Sequence, residues 1–205
     1  MAYTTALTAA LGGVTEAQLA HWRRPPNPLL APEFSAPGKV RYSFRDLLAV
    51  RIVANLRTEV SLQKIRRAVA NLRNLDDFGH LSNYQLVADS DTIVWVGDPP
   101  IDILKRPGQQ MLVTMRDVLG EFVGWTGATV VPLARPKPGV MVSPGVLQGF
   151  PVIEHSRVPY DTVASLAAEG FDAQTIRKFY PSVSDIGVSG AVAFDEYVRG
   201  YGRAA

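Results

Sequence analysis

The chain of 205 residues contains no cysteine. Disulfides, thiolate zinc sites and cysteine nucleophiles are therefore excluded. No apolar run approaches the roughly 18 residues that a membrane-spanning helix needs, and the N-terminus lacks the basic segment of a secretory signal. These absences predict a cytoplasmic protein that has no membrane partner.

Positive charge is concentrated in the first third of the chain. Residues 1–73 hold 11 Lys/Arg against 4 Asp/Glu, whereas residues 74–205 hold 10 against 15. A basic block joined to an acidic block suggests a polyanionic partner for one end only. A solvated basic face would explain the same numbers, so local patterns have to decide between the two.

The start of the basic block predicts two short helices separated by a glycine turn. Leu7 and Leu11 lie at helical spacing, and Gly12-Gly13 ends this helix because glycine reaches the left-handed conformation without strain. Thr15 with Gln18 is a capping-box pattern, which begins a second helix. This layout is that of a helix-turn-helix, whose second helix enters the major groove of DNA.

The segment that follows predicts a hairpin wing and two further helices. The stretch "FSAPGKVRYS" places a Pro-Gly turn between short β-prone pieces, and it carries two cations and a phenol that suit DNA phosphates. Ser43 with Asp46 caps a third helix, and a fourth follows it. The residues predicted to face inward on these two helices are Phe44, Leu48, Ile52, Leu56, Leu62, Ile65, Val69 and Leu72.

The stretches "VTEAQLAHWRR", "RYSFRDLLAVRIV" and "SLQKIRRAVANLR", in this order, resemble the winged helix-turn-helix domain of MerR-type regulators, especially an actinobacterial branch. The resemblance covers residues 1–73 and implies that this part binds operator DNA. It also implies that the second helix faces the groove, while the wing holds the DNA backbone. The implied contacts are Thr15, Gln18, His21, Arg23 and Arg24 from the helix, with Lys39, Arg41 and Tyr42 from the wing.

Residues 74–148 predict a β-containing middle region. The runs "NYQLVA" and "TIVWV" suggest a hairpin, "QQMLVT" a further strand, and "MRDVLGEF" a short helix. The proline-rich stretch "VVPLARPKPGVMVSPG" suits a linker or an edge strand. The long coiled coil that dimerises many MerR proteins is absent after Arg73. The middle region is expected either to cover the DNA-binding domain or to form a dimer contact. Because the coiled coil is absent, either this region or the C-terminal bundle is expected to dimerise the protein.

Residues 149–205 predict three short helices with tight glycine and proline turns. The first runs from about Tyr160 to Glu169, Asp172 caps the second, and Ser182 with Asp185 begins the third. Val163, Leu166 and Ala167 form the apolar stripe of the first helix, and Ile176, Phe179 and Tyr180 are predicted to face inward on the second. The third helix carries Ile186, Ala193, Phe194 and Tyr197.

The stretch "GFPVIEHSRVP", followed by "TVASLAAEGFDAQTIRKFYP" and an alanine-rich helix, looks like the small helical domain of a bacterial antitoxin family. Members of that family stand beside PIN-domain ribonuclease toxins in VapBC modules. Together with the MerR-like part, the chain resembles a mycobacterial VapB antitoxin of two-domain type. The resemblance implies a protein that neutralises such a toxin and represses its own operon as a homodimer.

Antitoxins of this class often block the acidic, magnesium-binding site of the toxin with an inserted basic residue. By charge and by position near a C-terminus that is expected to be mobile, Arg199 and Arg203 are the candidates for toxin binding. A solvated tail explains both residues equally well.

Glu154, His155, Ser156 and Asp161 suggest a hydrolase site as a further possibility. Nucleophilic catalysis requires a base within hydrogen-bond reach of the hydroxyl, and adjacent side chains in an extended run point to opposite faces. The chain also lacks a Gly-x-Ser-x-Gly elbow and a glycine-rich phosphate loop. We therefore expect no enzymatic activity, cofactor or metal. The alternative to an antitoxin is a MerR-like transcription factor with a C-terminal dimerisation bundle and no toxin.

The predicted fold class is mainly α with small β elements. It consists of a MerR-like winged helix-turn-helix over residues 1–73, a β-rich middle segment over 74–148, and a three-helix bundle over 149–205.

Overall fold

The structure is a computed structural model. It describes residues 1–36, 38–74, 81–83, 86–89, 92–95, 101–102 and 118–204. Over these ranges the chain is mainly helical with small antiparallel β elements, which confirms the predicted fold class at this level. No helix in the described ranges is long and apolar enough to cross a membrane.

Local capping patterns account for where the helices begin. Thr15 and Gln18 form a complete capping box, as do Ser43 and Asp46, and both were predicted. Asp172 caps its helix by accepting from the amide of Thr175, as predicted. The helices are α1 (Thr5–Gly12), α2 (Glu16–Trp22), α3 (Phe44–Leu56), α4 (Leu62–Asn74), α5 (Tyr160–Ala168), α6 (Ala173–Phe179) and α7 (Asp185–Ala204).

The strands form three small antiparallel sheets within the described ranges. The predicted hairpin is confirmed, since Leu86 pairs with Trp95 and Asp89 with Thr92. The stretch "QQMLVT" lies outside the described residues. The stretch "MRDVLGEF" is helical at residues 118–119 and then leads into a strand, where Phe122 pairs with Val130; its residues 115–117 lie outside the described residues. The strands are β1 (Leu86–Asp89), β2 (Thr92–Trp95), β3 (Ile101–Asp102), β4 (Phe122–Val123), β5 (Thr129–Val130), β6 (Val140–Met141) and β7 (Val152–Ile153).

Both ends of the chain contribute to one hydrophobic core. Helix α1 packs against α3 on one side and α7 on the other. The hydroxyl of Tyr197 on α7 donates to the carbonyl of Ala10 on α1 at 3.1 Å. The division into ranges 1–73, 74–148 and 149–205 stays a prediction. The contacts between α1 and α7 mean, however, that removing the C-terminal helices would expose one side of α1.

Arg51 is fully buried in this core, and its guanidinium donates hydrogen bonds to backbone carbonyls. It donates to the carbonyl of Leu11 at the end of α1, to Val118 at 2.6 Å and to Gly120 at 2.6 Å. A fourth hydrogen bond reaches Val131 at 3.2 Å. Burial lowers the pKa of Arg51 to about 10, which still leaves the group charged at neutral pH. Arg51 thereby fastens the middle region to the N-terminal helices.

Two predictions about the C-terminal helices are wrong. Phe179 is 61% exposed, although it was expected to face inward. Ser184, rather than Ser182, caps α7 by accepting from the amide of Gly187 at 3.0 Å. The buried face of α7 contains glycine where the chain is closest to its neighbours: a Cβ at Gly190 would overlap the carbonyl of Pro138. The side chain of Ile186 is 63% exposed, whereas its carbonyl belongs to the same contact, since a Cβ at Gly139 would overlap it.

Candidate nucleic-acid interface

Helix α2 presents a polar outer face over a buried inner one. Leu19 and Trp22 are buried, as their helical spacing predicts, whereas His21 and Arg24 are exposed. Of these four side chains, only those of His21 and Arg24 are accessible from outside.

The two predicted contacts at the start of α2 hold each other. The amide of Gln18 donates to the Thr15 hydroxyl at 2.9 Å, and the amide of Thr15 donates to the Gln18 side-chain oxygen at 2.8 Å. This capping box fixes the orientation of both side chains. It engages the Gln18 oxygen and leaves the amide nitrogen of that side chain as a donor outside the box.

Arg23 connects the end of α2 to the wing. Its guanidinium donates to the hydroxyl of Tyr42 and lies over the Tyr42 ring, 5.7 Å from the centroid. Tyr42 is fully buried, and burial is the main cause that raises the pKa of its hydroxyl. Tyr42 therefore cannot contact phosphates from the wing, contrary to the prediction. Its role is to hold Arg23 in place and to keep α2 beside the wing.

The wing is a short tight turn. Ala36 and Lys39 exchange backbone hydrogen bonds of 3.1 and 2.9 Å, and Gly38 adopts the left-handed conformation that such a turn requires. Lys39 is exposed, and Arg41 is half-buried with its guanidinium on the carbonyl of Val40 at 3.2 Å. Lys39 is thus the wing cation most open to a polyanion.

A basic groove that the sequence did not single out lies on the other side of the loop after α2. Arg66 on α4 donates to the carbonyl of Asn27 at 3.0 Å. Arg67 lines the same groove, which encloses about 550 Å³. In the sequence, these two arginines look like ordinary solvated residues, because nothing local indicates that α4 lies against the loop that follows α2.

The two predicted toxin contacts do not form a free basic tail. Helix α7 continues through both positions to Ala204, so the expected mobile C-terminus is replaced by helix up to that residue. Arg199 pairs with Asp195 one turn earlier, at 2.7 Å. The structure does not describe the side chain of Arg203.

Residues 154–157 form a tight turn and not the extended run assumed from the sequence. The hydroxyl of Ser156 donates to the carbonyl of Ile153 at 2.9 Å and accepts from the amide of Val158 at 3.1 Å. It is therefore engaged by the backbone and does not pair with His155 as a nucleophile would with its base.

Part of the chain matches a known protein family. Residues 140–194 match the model of a family described as a protein of unknown function, DUF433. This range starts at β6 and ends within α7. None of the curated proteins compared with the chain matches it.

A solved structure has a similar fold. The X-ray crystal structure of Rv2018 from Mycobacterium tuberculosis superimposes with a TM-score of 0.54 at 18% sequence identity. The comparison covers 93% of this chain and 96% of that one. At this identity the likeness establishes the fold alone. The chain is thus similar to the DUF433 family from β6 to α7, and to a mycobacterial protein in its overall architecture.

Proposed function

We propose that this protein is an antitoxin and autorepressor that acts by binding rather than by catalysis. Its N-terminal part would bind the operator of its own operon, and another surface would bind and neutralise a PIN-domain ribonuclease. The observation that carries the DNA-binding half of this proposal is the bond between Arg23 and Tyr42. It joins Arg23, directly after α2, to Tyr42, which ends the predicted wing, and this link supports the proposal that α2 and the wing act together.

The charge of this region supports a polyanionic ligand. His21, Arg24 and Lys39 are exposed. Arg41, two positions after Lys39, is half-buried. Cations that neutralise phosphates release counterions, and this release supplies most of the affinity of a protein for duplex DNA. Glu16 is exposed on the first turn of α2, so base contacts are expected toward the end of that helix.

The C-terminal helices fit a protein partner better than a second duplex. Residues 149–205 hold 5 Lys/Arg against 7 Asp/Glu, and Arg177 is paired with Asp185 at 3.2 Å. A net-negative bundle is at a disadvantage near phosphates. The resemblance of this part to the helical domain of VapB-type antitoxins supports a ribonuclease as the partner.

We further propose that the protein binds its operator as a homodimer. Bacterial helix-turn-helix operators are usually read by symmetric dimers, because two half-sites multiply specificity. Light scattering at micromolar concentration, with and without operator DNA, measures the mass. A monomer under both conditions would contradict this part of the proposal.

The alternative function is a transcription factor whose C-terminal helices serve its own assembly and bind no toxin. It is favoured by the packing of α7 against α1, which buries part of the bundle against the DNA-binding half. The gene next to that of this chain distinguishes the two. A reading frame with the spaced acids of a PIN domain supports the antitoxin, and a neighbourhood without one supports the transcription factor.

DNA binding is tested by titrating the full chain against a labelled duplex from upstream of its gene, over a series of salt concentrations. We expect tighter binding to this duplex than to a scrambled one, and affinity that falls as salt rises. Equal affinity for both duplexes, or affinity that does not depend on salt, would contradict the proposal.

A further inference from the structure

A second polar groove lies on the C-terminal part of the chain, away from α2 and the wing. It encloses about 730 Å³ between the turn at residues 154–157 and the segment at residues 134–146. We call it the cationic groove. Its rim carries Arg135, His155 and Arg157, and its apolar side is formed by residues that include Met141 and Val146.

The turn that carries the rim is rigid. The amide of Ile153 donates to the carbonyl of Val158 at 2.9 Å, which closes the turn, and the amide of Ser156 donates to the carbonyl of Ile153 at 3.1 Å. The Ser156 hydroxyl adds two more bonds inside the turn. The backbone of this turn is already formed before a ligand arrives, so binding orders little further backbone.

His155 occupies a backbone conformation that favours glycine. Its φ is 59°, in the left-handed region, and its side chain is exposed. A side chain at such a position is strained and gains nothing from burial here. Strained residues that a structure retains cluster at binding sites. The exposed imidazole of His155 is thus available to a ligand at the rim.

The charges of the groove favour carboxylates over phosphates. Arg135 pairs with Glu154 at 3.2 Å while remaining 77% exposed. Arg157 is exposed and makes no ion pair within the part of the chain that the structure describes. Since Arg135 is already paired with Glu154, the groove lacks the row of unpaired cations that a nucleic-acid backbone requires. A protein segment can place a single carboxylate beside Arg157. Met and Arg are also enriched at protein interfaces.

We propose that the cationic groove binds an acidic segment of a partner protein. Carboxylates of the segment pair with Arg157 and Arg135, and an apolar side chain packs beside Met141. That the partner is the ribonuclease rests on the proposed function. The proposal that the groove binds an acidic segment does not depend on the proposed function.

The first test uses the full ¹⁵N-labelled chain and a short peptide of alternating glutamate and leucine. We expect the peptide to shift the amide resonances of residues 154–157, and a peptide of alternating lysine and leucine to leave them unchanged. Arg157→Ala should weaken the binding of the acidic peptide about tenfold, the loss expected for one charge-assisted hydrogen bond. Arg177→Ala is the matched control, since it is a half-exposed arginine outside the groove, and it should bind like the wild type.

His155→Gly separates binding from folding. Glycine relieves the strain at φ 59°, so the thermal midpoint should stay or rise by about 2 °C, while affinity for the acidic peptide should fall. Three results would overturn the proposal: shifts located elsewhere, affinity that is unchanged in Arg157→Ala, or stronger shifts of the same residues by duplex DNA. The last would identify a phosphate site instead.

A parallel titration with the ribonuclease encoded beside the gene separates the two proposals. If the wild-type chain fails to bind the ribonuclease, the antitoxin function is wrong, and the peptide titration still decides the groove. If wild type and Arg157→Ala bind the ribonuclease equally, the function stands and the groove is not the place where the toxin binds.

Discussion

The hydroxyl of Tyr197 on α7 donates to the carbonyl of Ala10 on α1 at 3.1 Å, across 187 positions of the chain. Ala10 lies in the helix that precedes the glycine turn and the candidate DNA-binding helix. Burial raises the pKa of Tyr197 to about 12, so the hydroxyl remains a donor at neutral pH. The C-terminal helix is thereby fastened directly to the helix that supports α2.

Two tyrosines on α7 test this contact. Tyr197→Phe removes a hydroxyl that has a partner, and it should lower the free energy of unfolding by about 1 kcal/mol. Tyr201→Phe removes a buried hydroxyl that has no hydrogen-bond partner among the described residues, and it should leave stability unchanged or raise it. Denaturant titrations of both variants provide the measurement. Equal losses in the two would show that the bond to Ala10 contributes nothing.

Arg51 should be among the least replaceable residues of the fold. Arg51→Met leaves its four backbone carbonyls without their donor, and the free energy of unfolding should fall by about 3 kcal/mol or more. Arg51→Lys keeps the charge but lacks the fork that reaches several carbonyls, so an intermediate loss is expected. The control is Arg45→Met, because Arg45 forms an ion pair with Glu33 at the surface. This substitution should change the free energy of unfolding by less than about 1 kcal/mol.

Lys39 should contribute to DNA affinity without reading sequence. Lys39→Ala should weaken binding to operator and scrambled duplexes alike and reduce the salt slope by about 1. Lys178→Ala removes an equally exposed lysine from α6 and should leave both quantities unchanged. Anisotropy titrations at several salt concentrations compare them. Equal effects of the two substitutions would mean that the wing is not the site of contact.

Tyr42 should act on DNA binding through Arg23. Tyr42→Phe removes the oxygen that accepts from the guanidinium and keeps the ring beneath it. We expect weaker operator binding in this variant. Because the tyrosine acts through the arginine, Tyr42→Phe should have little further effect in an Arg23→Ala background. Additive effects of the two substitutions would show that Tyr42 acts independently of Arg23.

The sequence predicted the features that depend on neighbours a few positions apart. The capping boxes at Thr15 and Ser43 and the hairpin of β1 and β2 need only local patterns. Tyr42 is buried, whereas the sequence analysis predicts it on the wing surface. The alternation of side chains in an extended run places it opposite Arg41, on the inner face, and this signal is local.

Other features had no local signal. Arg51 counts in the sequence as one more basic residue, since its partners Val118 and Val131 lie far along the chain. The buried face of α7 is defined by Gly187 and Gly190, which allow close approach to Ile153 and Pro138. Hydrophobic spacing does not reveal this face, because the contact needs small residues. The cationic groove joins residues from three segments and becomes visible only after folding.

The central claim is that this chain silences a ribonuclease. The most direct measurement is the activity of the PIN-domain ribonuclease encoded beside its gene, on an RNA substrate, as the full chain is added. We predict that the ribonuclease activity falls to background when the chain and the ribonuclease are near equimolar. At low concentrations of the chain, Arg157→Ala should inhibit the ribonuclease less than the wild type does. Full activity in the presence of a large excess of the wild-type chain would contradict the antitoxin account.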